Sequence, residues 1–318
     1  MRYVKILPFT GRQVCVPKNL LILAKKSLNI WKLLNFRVSL QKNKTYQDKG
    51  IKTYPCKGKK RIVNKLPIIV LDFSGVYDFE AFASSRNIIR VDCKDLKGVD
   101  CYCDEDGREK LHRRLAPYPS KAIHFLDSGD FHYLTEYWVS RLQEPFSLIV
   151  FDHHPDMQQP QWEGLVSCGG WVTDVLKSNP FVRHIILVGV SDELMSQIPA
   201  ALRSKVLFYS ESEIDHHQAW PSKAGKLIHE PVYISIDKDV LRTDDAVTNW
   251  SNGDMTLMEL QAVLRIVYAH ERVMGVDITG ECSNMLDYAT EVKDASIDNE
   301  ANEELIRMIL SERQNREE

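Results

Sequence analysis

From Pro67 onward the apolar positions fall into short continuous runs rich in β-branched residues. They recur at 67–73 (PIIVLDF), 88–92 (IIRVD), 121–127 (KAIHFLD), 147–152 (SLIVFD), 184–190 (HIILVGV), 205–209 (KVLFY), 231–237 (PVYISID) and 273–278 (VMGVDI). Runs of this length without alternation predict strands buried on both faces, as in a parallel sheet. Between them the apolar spacing turns helical at 132–142, 170–178, 192–202 and 256–270, with a last helix near 299–313. Thr256 and Glu259 stand in capping-box relation at the start of one of these. Strand–helix alternation predicts an α/β three-layer sandwich around a doubly wound, mainly parallel, eight-stranded sheet with right-handed crossovers.

The region before Pro67 breaks this pattern. Residues 1–66 hold 17 Lys and Arg against a single acid, Asp48, whereas the remainder carries 24 bases against 43 acids. The net charge of −3 hides this asymmetry, which predicts a domain boundary near Leu66. Residues 1–66 read as a basic N-terminal extension, poorly ordered, and 67–318 as the working domain. Leu20, Leu21, Leu23, Leu28, Ile30, Leu33 and Leu34 lie among Lys25, Lys26, Lys32 and Arg37, which leaves a basic amphipathic helix open. No nucleic-acid motif supports a nucleic-acid partner.

No apolar run reaches the roughly 18 residues of a membrane span, and Pro8, Gly11, Arg12 and Pro17 interrupt any signal-peptide pattern. Seven cysteines, an odd count, fit free thiols in a reducing compartment. A cytoplasmic location is therefore expected. Cys101 and Cys103, near Cys93 and followed by Asp104, Glu105 and Asp106, lack zinc-knuckle spacing and read as loop cysteines without a role.

In doubly wound sheets ligands bind beyond the carboxyl ends of the strands. Three such ends run into acid- and His-rich loops: DSGDFHY (127–133), FDHHPDM (151–157) and SIDKD (235–239). Alternate side chains of extended backbone point the same way. Asp152, His154 and Asp156 are thus expected to converge while His153 points elsewhere, and Asp237 and Asp239 repeat the spacing. Carboxylates and imidazoles gathered above one sheet edge require cations, and their mixture suits Mn, Fe, Co, Ni or Zn better than Ca or Mg. A lone D-x-H-x-D or D-x-D also occurs as a polar turn; both at ends of buried strands, with a third His loop, is a far more specific coincidence.

These residues resemble the motifs of arginase, agmatinase and related ureohydrolases. Asp152-x-His154-x-Asp156 is similar to their D-x-H-x-D, and Ser235-Ile-Asp237-Lys-Asp239 to their S-x-D-x-D. Ser128-Gly129-Asp130-Phe131-His132 is similar to their G-G-D-H loop with one residue more. Thr279-Gly280-Glu281 after strand 273–278 resembles their D-I-x-E segment, again with one residue inserted. The resemblance spans Pro67 to about Glu281. It implies two divalent metal ions, usually manganese in that family. One would be held by His132, Asp152, Asp156 and Asp237, the other by His154, Asp152, Asp237 and Asp239. It further implies hydrolysis of a linear non-peptide C–N bond in a guanidino or amidino compound by a metal-bridging hydroxide, with Glu281 holding the guanidinium. A small-molecule substrate and a homo-oligomer follow from the same likeness. Asp192 resembles another acidic position of the family, with a helix-capping role as the alternative.

The sequence also departs from the family. No His occurs between His154 and His184, where arginases carry a proton-shuttle His; Cys168 or Ser167 falls at that place. Gln158, Gln159, Gln161 and Trp162 stand where arginases read an amino-acid substrate, so L-arginine is not the expected substrate. Two other readings stay open: a metal-binding, catalytically inactive member acting in binding or regulation, and a deacetylase-like amide hydrolase, which would use one zinc and adjacent histidines. Among the remaining side chains, His153 reads as a donor behind the ligands, His124 as a packed residue, and His216 and His217 as a surface pair with a surface metal site as the alternative. Trp162, Trp171 and Trp250 read as pocket wall, core or lid.

Overall fold

The computed structural model describes Tyr3–Ile6, Val14–Pro17 and residues 66–159, 164–196, 198, 200–215, 228–283 and 288–317. The chain divides into two compact units, Met1–Val63 and Asn64–Glu318. In the first, β1 (Tyr3–Ile6) pairs antiparallel with β2 (Val14–Pro17). The proposed basic helix within 19–40, and His216, His217 and Trp162, lie outside the described residues.

The second unit is built on eight parallel strands: β3 (Ile68–Asp72), β4 (Ile88–Asp92), β6 (Ile123–Phe125), β7 (Phe146–Phe151), β9 (Val182–Val190), β10 (Leu207–Ser210), β11 (Val232–Asp237) and β12 (Val273–Thr279). Each occupies one of the eight predicted runs. β5 (Tyr102–Cys103) and β8 (Val166–Ser167) form a separate two-stranded antiparallel ladder, too short for any periodic signal. The longer helices are α1 (Glu105–Leu115), α2 (Leu134–Ser140), α3 (Trp171–Ser178), α4 (Leu257–His270) and α5 (Tyr288–Glu317).

Alternation along each strand divides the core into two. Ile68 and Val70 of β3 join one apolar cluster with Leu260 and Leu264 of α4 and Leu305, Met308 and Ile309 of α5. Ile69 and Leu71 join the other, with Leu111 and Leu115 of α1, Trp138 and Val139 of α2 and Trp171 and Val172 of α3. Helices therefore cover both faces, and the three-layer sandwich is observed.

Local chemistry sets the helix boundaries. Thr256 and Glu259 form the expected reciprocal cap on α4. α1, which the apolar spacing did not single out, starts at Asp104, whose carboxylate accepts from Gly107 N. It carries Glu105 and Asp106 in its first turn and His112, Arg113 and Arg114 in its last, matching the helix dipole. The helix predicted over 192–202 is instead two short turns, Asp192–Met195 and Ala200–Arg203. α5 extends well beyond 299–313 in both directions.

The sheet order is β10-β9-β7-β11-β12-β6-β3-β4. β6 and β7, consecutive among the parallel strands, are separated by β11 and β12. The chain thus runs outward to one edge through β9 and β10, then returns to fill the gap. Ligand crevices form at such reversals, beyond the carboxyl ends of the strands, and all four of these strands end there.

Candidate metal centre

Each central strand delivers its side chains to that crevice by a different local device. After β6, the 3-10 turn Gly129–Phe131 sets up His132. A Cβ on Gly129 would lie 3.0 Å from Asp237 Oδ2 and 3.0 Å from Trp250 Cδ1, so a larger residue would push these side chains aside by a few tenths of an ångström. After β7, Asp152 leads into irregular backbone in which Asp156 adopts φ 47°, a left-handed conformation that Asp tolerates better than most residues. After β11, Asp237 caps a 3-10 turn, its Oδ1 accepting from Asp239 N at 3.0 Å.

These devices assemble two overlapping groups. His132, Asp152 and Asp156 bring ligand atoms within 4.8 Å of one another, as do Asp152, His154 and Asp239. Asp152 belongs to both. Asp237 borders the first group, its Oδ2 being 3.5 Å from His132 Nδ1. All six residues expected from the sequence therefore meet at one place. All but His154 are buried, and His154 is 22% exposed at its side chain.

The electrostatics are those of a site built for cations. His132 Nε2 lies 2.8 Å from Ser235 Oγ, which also bonds Thr135 Oγ1. With Nε2–H donating to Ser235, the Nδ1 lone pair faces the carboxylates. Nδ1 stands 3.2 Å from Asp152 Oδ2 and 3.1 Å from Asp156 Oδ2, yet Nδ1 and Asp152 Oδ2 are both buried without hydrogen-bond geometry to any partner. Two orphaned polar atoms facing each other across such a gap is what a metal ion resolves, since buried polar groups are otherwise paired.

Protonation follows the same logic. Burial alone disfavours the His132 imidazolium, but the Asp152 and Asp156 carboxylates outweigh it and raise its pKa well above the ordinary value. His154 is likewise desolvated, yet Asp152 and Asp239 lift it to about 11. Asp237 is driven well up by burial and by Asp239 and Asp152, and burial with Asp152 raises Asp239 to about 6. Without cations this cluster must hold protons in their stead.

Surrounding groups fix the ligand orientations. Trp171 Nε1 donates to Asp156 Oδ2 at 2.7 Å. His153 points away from the centre, its Nδ1 lying 2.8 Å from Glu211 Oε1, while its backbone N donates to Asp239 Oδ1. Only one of the two adjacent histidines therefore faces the centre, unlike the arrangement a deacetylase-like reading requires. His124 is packed as expected, stacked on Trp138 and bonded to Asp277. Asp192 is neither ligand nor cap: its carboxylate accepts from Ser212 N and Oγ, and Ser191 holds the cap position.

A cavity of about 320 Å³ opens over the centre. Its walls include Asp152, His154, Asp156, Asp237 and Asp239, with Cys168, Cys101, Gln158, Gln159 and Trp250 around them. This size suits a small molecule.

A model of the Arginase family matches residues 124–299, more than half of the chain. The chain belongs to the arginase family. Membership of this family supports a metal-dependent hydrolase acting on a small molecule. An uncharacterised protein of Thermotoga maritima is 30% identical over 215 residues, 67% of this chain and 79% of that protein. Solved structures share the fold at low identity. The proclavaminate amidino hydrolase of Streptomyces clavuligerus is 14% identical with a TM-score of 0.54, covering 78% of this chain and 91% of its own. The Trypanosoma cruzi formiminoglutamase with Mn2+ is 16% identical with a TM-score of 0.51, covering 76% and 96%. The arginase of Bacillus caldovelox is 15% identical with a TM-score of 0.52, covering 74% and 97%.

Against the family pattern, Glu281 takes a different place from the one expected. Its carboxylate is fully buried and turned from the cavity, accepting from Lys238 Nζ at 2.5 Å and from Asn302 Nδ2 at 2.9 Å. Lys238, the residue between Asp237 and Asp239, points oppositely to both and also meets Asp298 at 3.2 Å. A carboxylate committed to a buried ammonium is not free to hold a guanidinium. Cys168 does line the cavity, and its Sγ lies 3.3 Å from that of Cys101. Nothing in the spacing of the chain marked Cys101 as its neighbour. No helix among the described residues is long and apolar enough to cross a membrane.

Proposed function

We propose that this arginase-family protein is a two-metal hydrolase of a linear, non-peptide C–N bond in a small guanidino or amidino compound. The reading rests above all on the two ligand groups that share Asp152, with His132 Nδ1 and Asp152 Oδ2 orphaned between them. The donor set of two imidazoles and four carboxylates fits a pair of divalent cations, with Mn2+ the first choice and Fe, Co, Ni or Zn as alternatives. His132, Asp152, Asp156 and Asp237 would hold one ion; His154, Asp152, Asp237 and Asp239 would hold the other. When bound, such a pair supplies a hydroxide near neutral pH and charge to stabilise a tetrahedral intermediate.

The chain's own residues do the rest. Ser235 fixes the His132 tautomer, and Trp171 fixes the Asp156 carboxylate. The cavity wall of Gln158, Gln159 and Trp250 offers amide groups and an aromatic face to a planar polar substrate. Cys168 stands where a proton-transfer group is wanted, but its sulfur contact with Cys101 Sγ, with burial adding to it, raises its pKa far above the ordinary thiol range. Cys168 therefore serves as a proton-holding group. With Glu281 withdrawn, the substrate's positive charge is not met at that position, which disfavours L-arginine.

The withdrawal of Glu281 also favours a second reading, a metal-binding member that no longer hydrolyses. Elemental analysis after loading should give about two equivalents of metal, and a panel of guanidino and amidino compounds should yield urea or ammonia with added Mn2+. Metal content near zero sinks both readings; two equivalents with silence across the panel selects the second.

A further inference from the structure

The two thiols beside the cavity carry an inference that goes beyond hydrolysis and does not depend on it. Cys101 and Cys168 come from the ends of the β5–β8 ladder, where Tyr102 faces Ser167 and Cys103 faces Val166. The next rung sets Cys101 opposite Cys168, and Cys168 N donates to Cys101 O at 2.9 Å. Opposed residues of an antiparallel ladder hold their Cα atoms about 4.5–5.5 Å apart, inside the 4.4–6.8 Å range that a disulfide spans. The sulfurs are already 3.3 Å apart. Cys101 itself is held at φ 58°, a left-handed backbone conformation uncommon outside glycine.

We propose that Cys101 and Cys168 are a redox-active pair that closes to a reversible disulfide in the wall of the metal-centre cavity. Access supports it, since both line that cavity and Cys101 is only partly buried. Cys93 and Cys103 are less suited. Both are buried, which pushes them up to about 12 and about 11. Cys101 is shifted the other way by its hydrogen-bond contact with Cys168. Thiolate character and access together direct oxidation.

A third metal is the competing use of these sulfurs, because the Asp130 carboxylate lies within 4.8 Å of both. That carboxylate, however, already accepts from Ser128 Oγ, Asn249 Nδ2 and Trp250 Nε1. Two sulfurs alone fall short of the three or four protein ligands of a zinc site.

The chemistry balances with a peroxide as oxidant. The Cys101 thiolate attacks one oxygen of hydrogen peroxide; the O–O bond breaks, hydroxide leaves, and Cys101 becomes a sulfenic acid. The Cys168 sulfur then attacks Cys101 Sγ, the S–O bond breaks, and the second hydroxide departs. Protons from the two thiols convert both hydroxides to water. Two thiols are oxidised and one peroxide is reduced. A dithiol reverses the step by exchange.

The test is to treat the full-length chain with one equivalent of hydrogen peroxide, then map peptides without reduction and titrate free thiols after denaturation. The expected result is a Cys101–Cys168 linked peptide pair lighter by two hydrogens, and a fall from the chain's seven thiols to five, both reversed by dithiothreitol. Cys101→Ser and Cys168→Ser each abolish the link, while Cys93→Ser retains it. Seven thiols after treatment, sulfinic acid at Cys101 without a link, or a link to another cysteine overturns the proposal. So does a metal equivalent, measured on the reduced chain, that Cys101→Ser removes.

Discussion

Replacing Lys238 by Met tests the buried charge cluster behind the centre. Lys238 Nζ is fully buried, 2.5 Å from Glu281 Oε2 and 3.2 Å from Asp298 Oδ1, and those carboxylates are fully buried too. At an effective dielectric of about 20, charges 3.2 Å apart attract by roughly 5 kcal/mol, which desolvation largely offsets. Removing one partner leaves the other's desolvation uncompensated, so Lys238→Met should cost about 3–5 kcal/mol. The cost depends on pH. Burial already raises Asp298 to about 7 and Glu80 well above its usual range, with Lys238 opposing both shifts. A carboxyl whose folded pKa is raised keeps a proton that the unfolded chain releases, so stability falls as pH rises between the two values. Without Lys238 these shifts grow, and the penalty is larger at pH 8 than at pH 5. Urea unfolding in the presence of a chelator measures this without interference from metal. Adding Glu281→Gln to Lys238→Met should recover part of the loss. A loss under about 1 kcal/mol, or one equal at both pH values, refutes the account.

Other outcomes follow from the same geometry. Free Mn2+ at 100 times its Kd should stabilise the wild-type chain by about 2.7 kcal/mol; thermal melts of Asp237→Ala should show no such gain. Gly280 adopts φ 94°, and a Cβ there would lie 2.5 Å from Asp237 Oδ1 and 2.8 Å from Lys238 N. Gly280→Ala should therefore weaken metal retention roughly 10–100-fold in a chelator competition, and unchanged retention would show that Asp237 is not held by this turn. Glu136 is raised to about 7, first by burial and then by Asp174. Its contribution to stability is lost as pH rises from about 4.5 to 7, by at most about 3 kcal/mol. Glu136→Gln should remove that decline while leaving stability at pH 4 unchanged, as followed by denaturant midpoints across that range.

The strands were legible because burial on both faces leaves no room for polar residues, so each run is written continuously, as in IIVLD and LIVF. The i, i+2 spacing of Asp152, His154 and Asp156, and of Asp237 and Asp239, was legible because side-chain direction is local. What escaped depended on partners distant in the chain. Glu281 follows β12 as expected, but its direction is set by Lys238, 43 residues earlier. Cys101 meets Cys168 through a ladder of two residues per strand, too brief to leave a periodic trace. α1 was hidden because its apolar face is sparse and its cap, Asp104, read as part of an acidic cysteine-rich loop.

The placement of β11 and β12 between β6 and β7 has a consequence for assembly. A chain emerging from synthesis carries His132, Asp152, His154 and Asp156 long before Asp237 and Asp239 exist. Until the late strands enter the middle of the sheet, nothing bridges β6 to β7, and the early acidic and His side chains belong to two separate edges. Metal capture would thus read out topological completion. Manganese retention in a truncation series would rise as a step once β12 is included, making the ion a reporter of the last long-range closure in the fold.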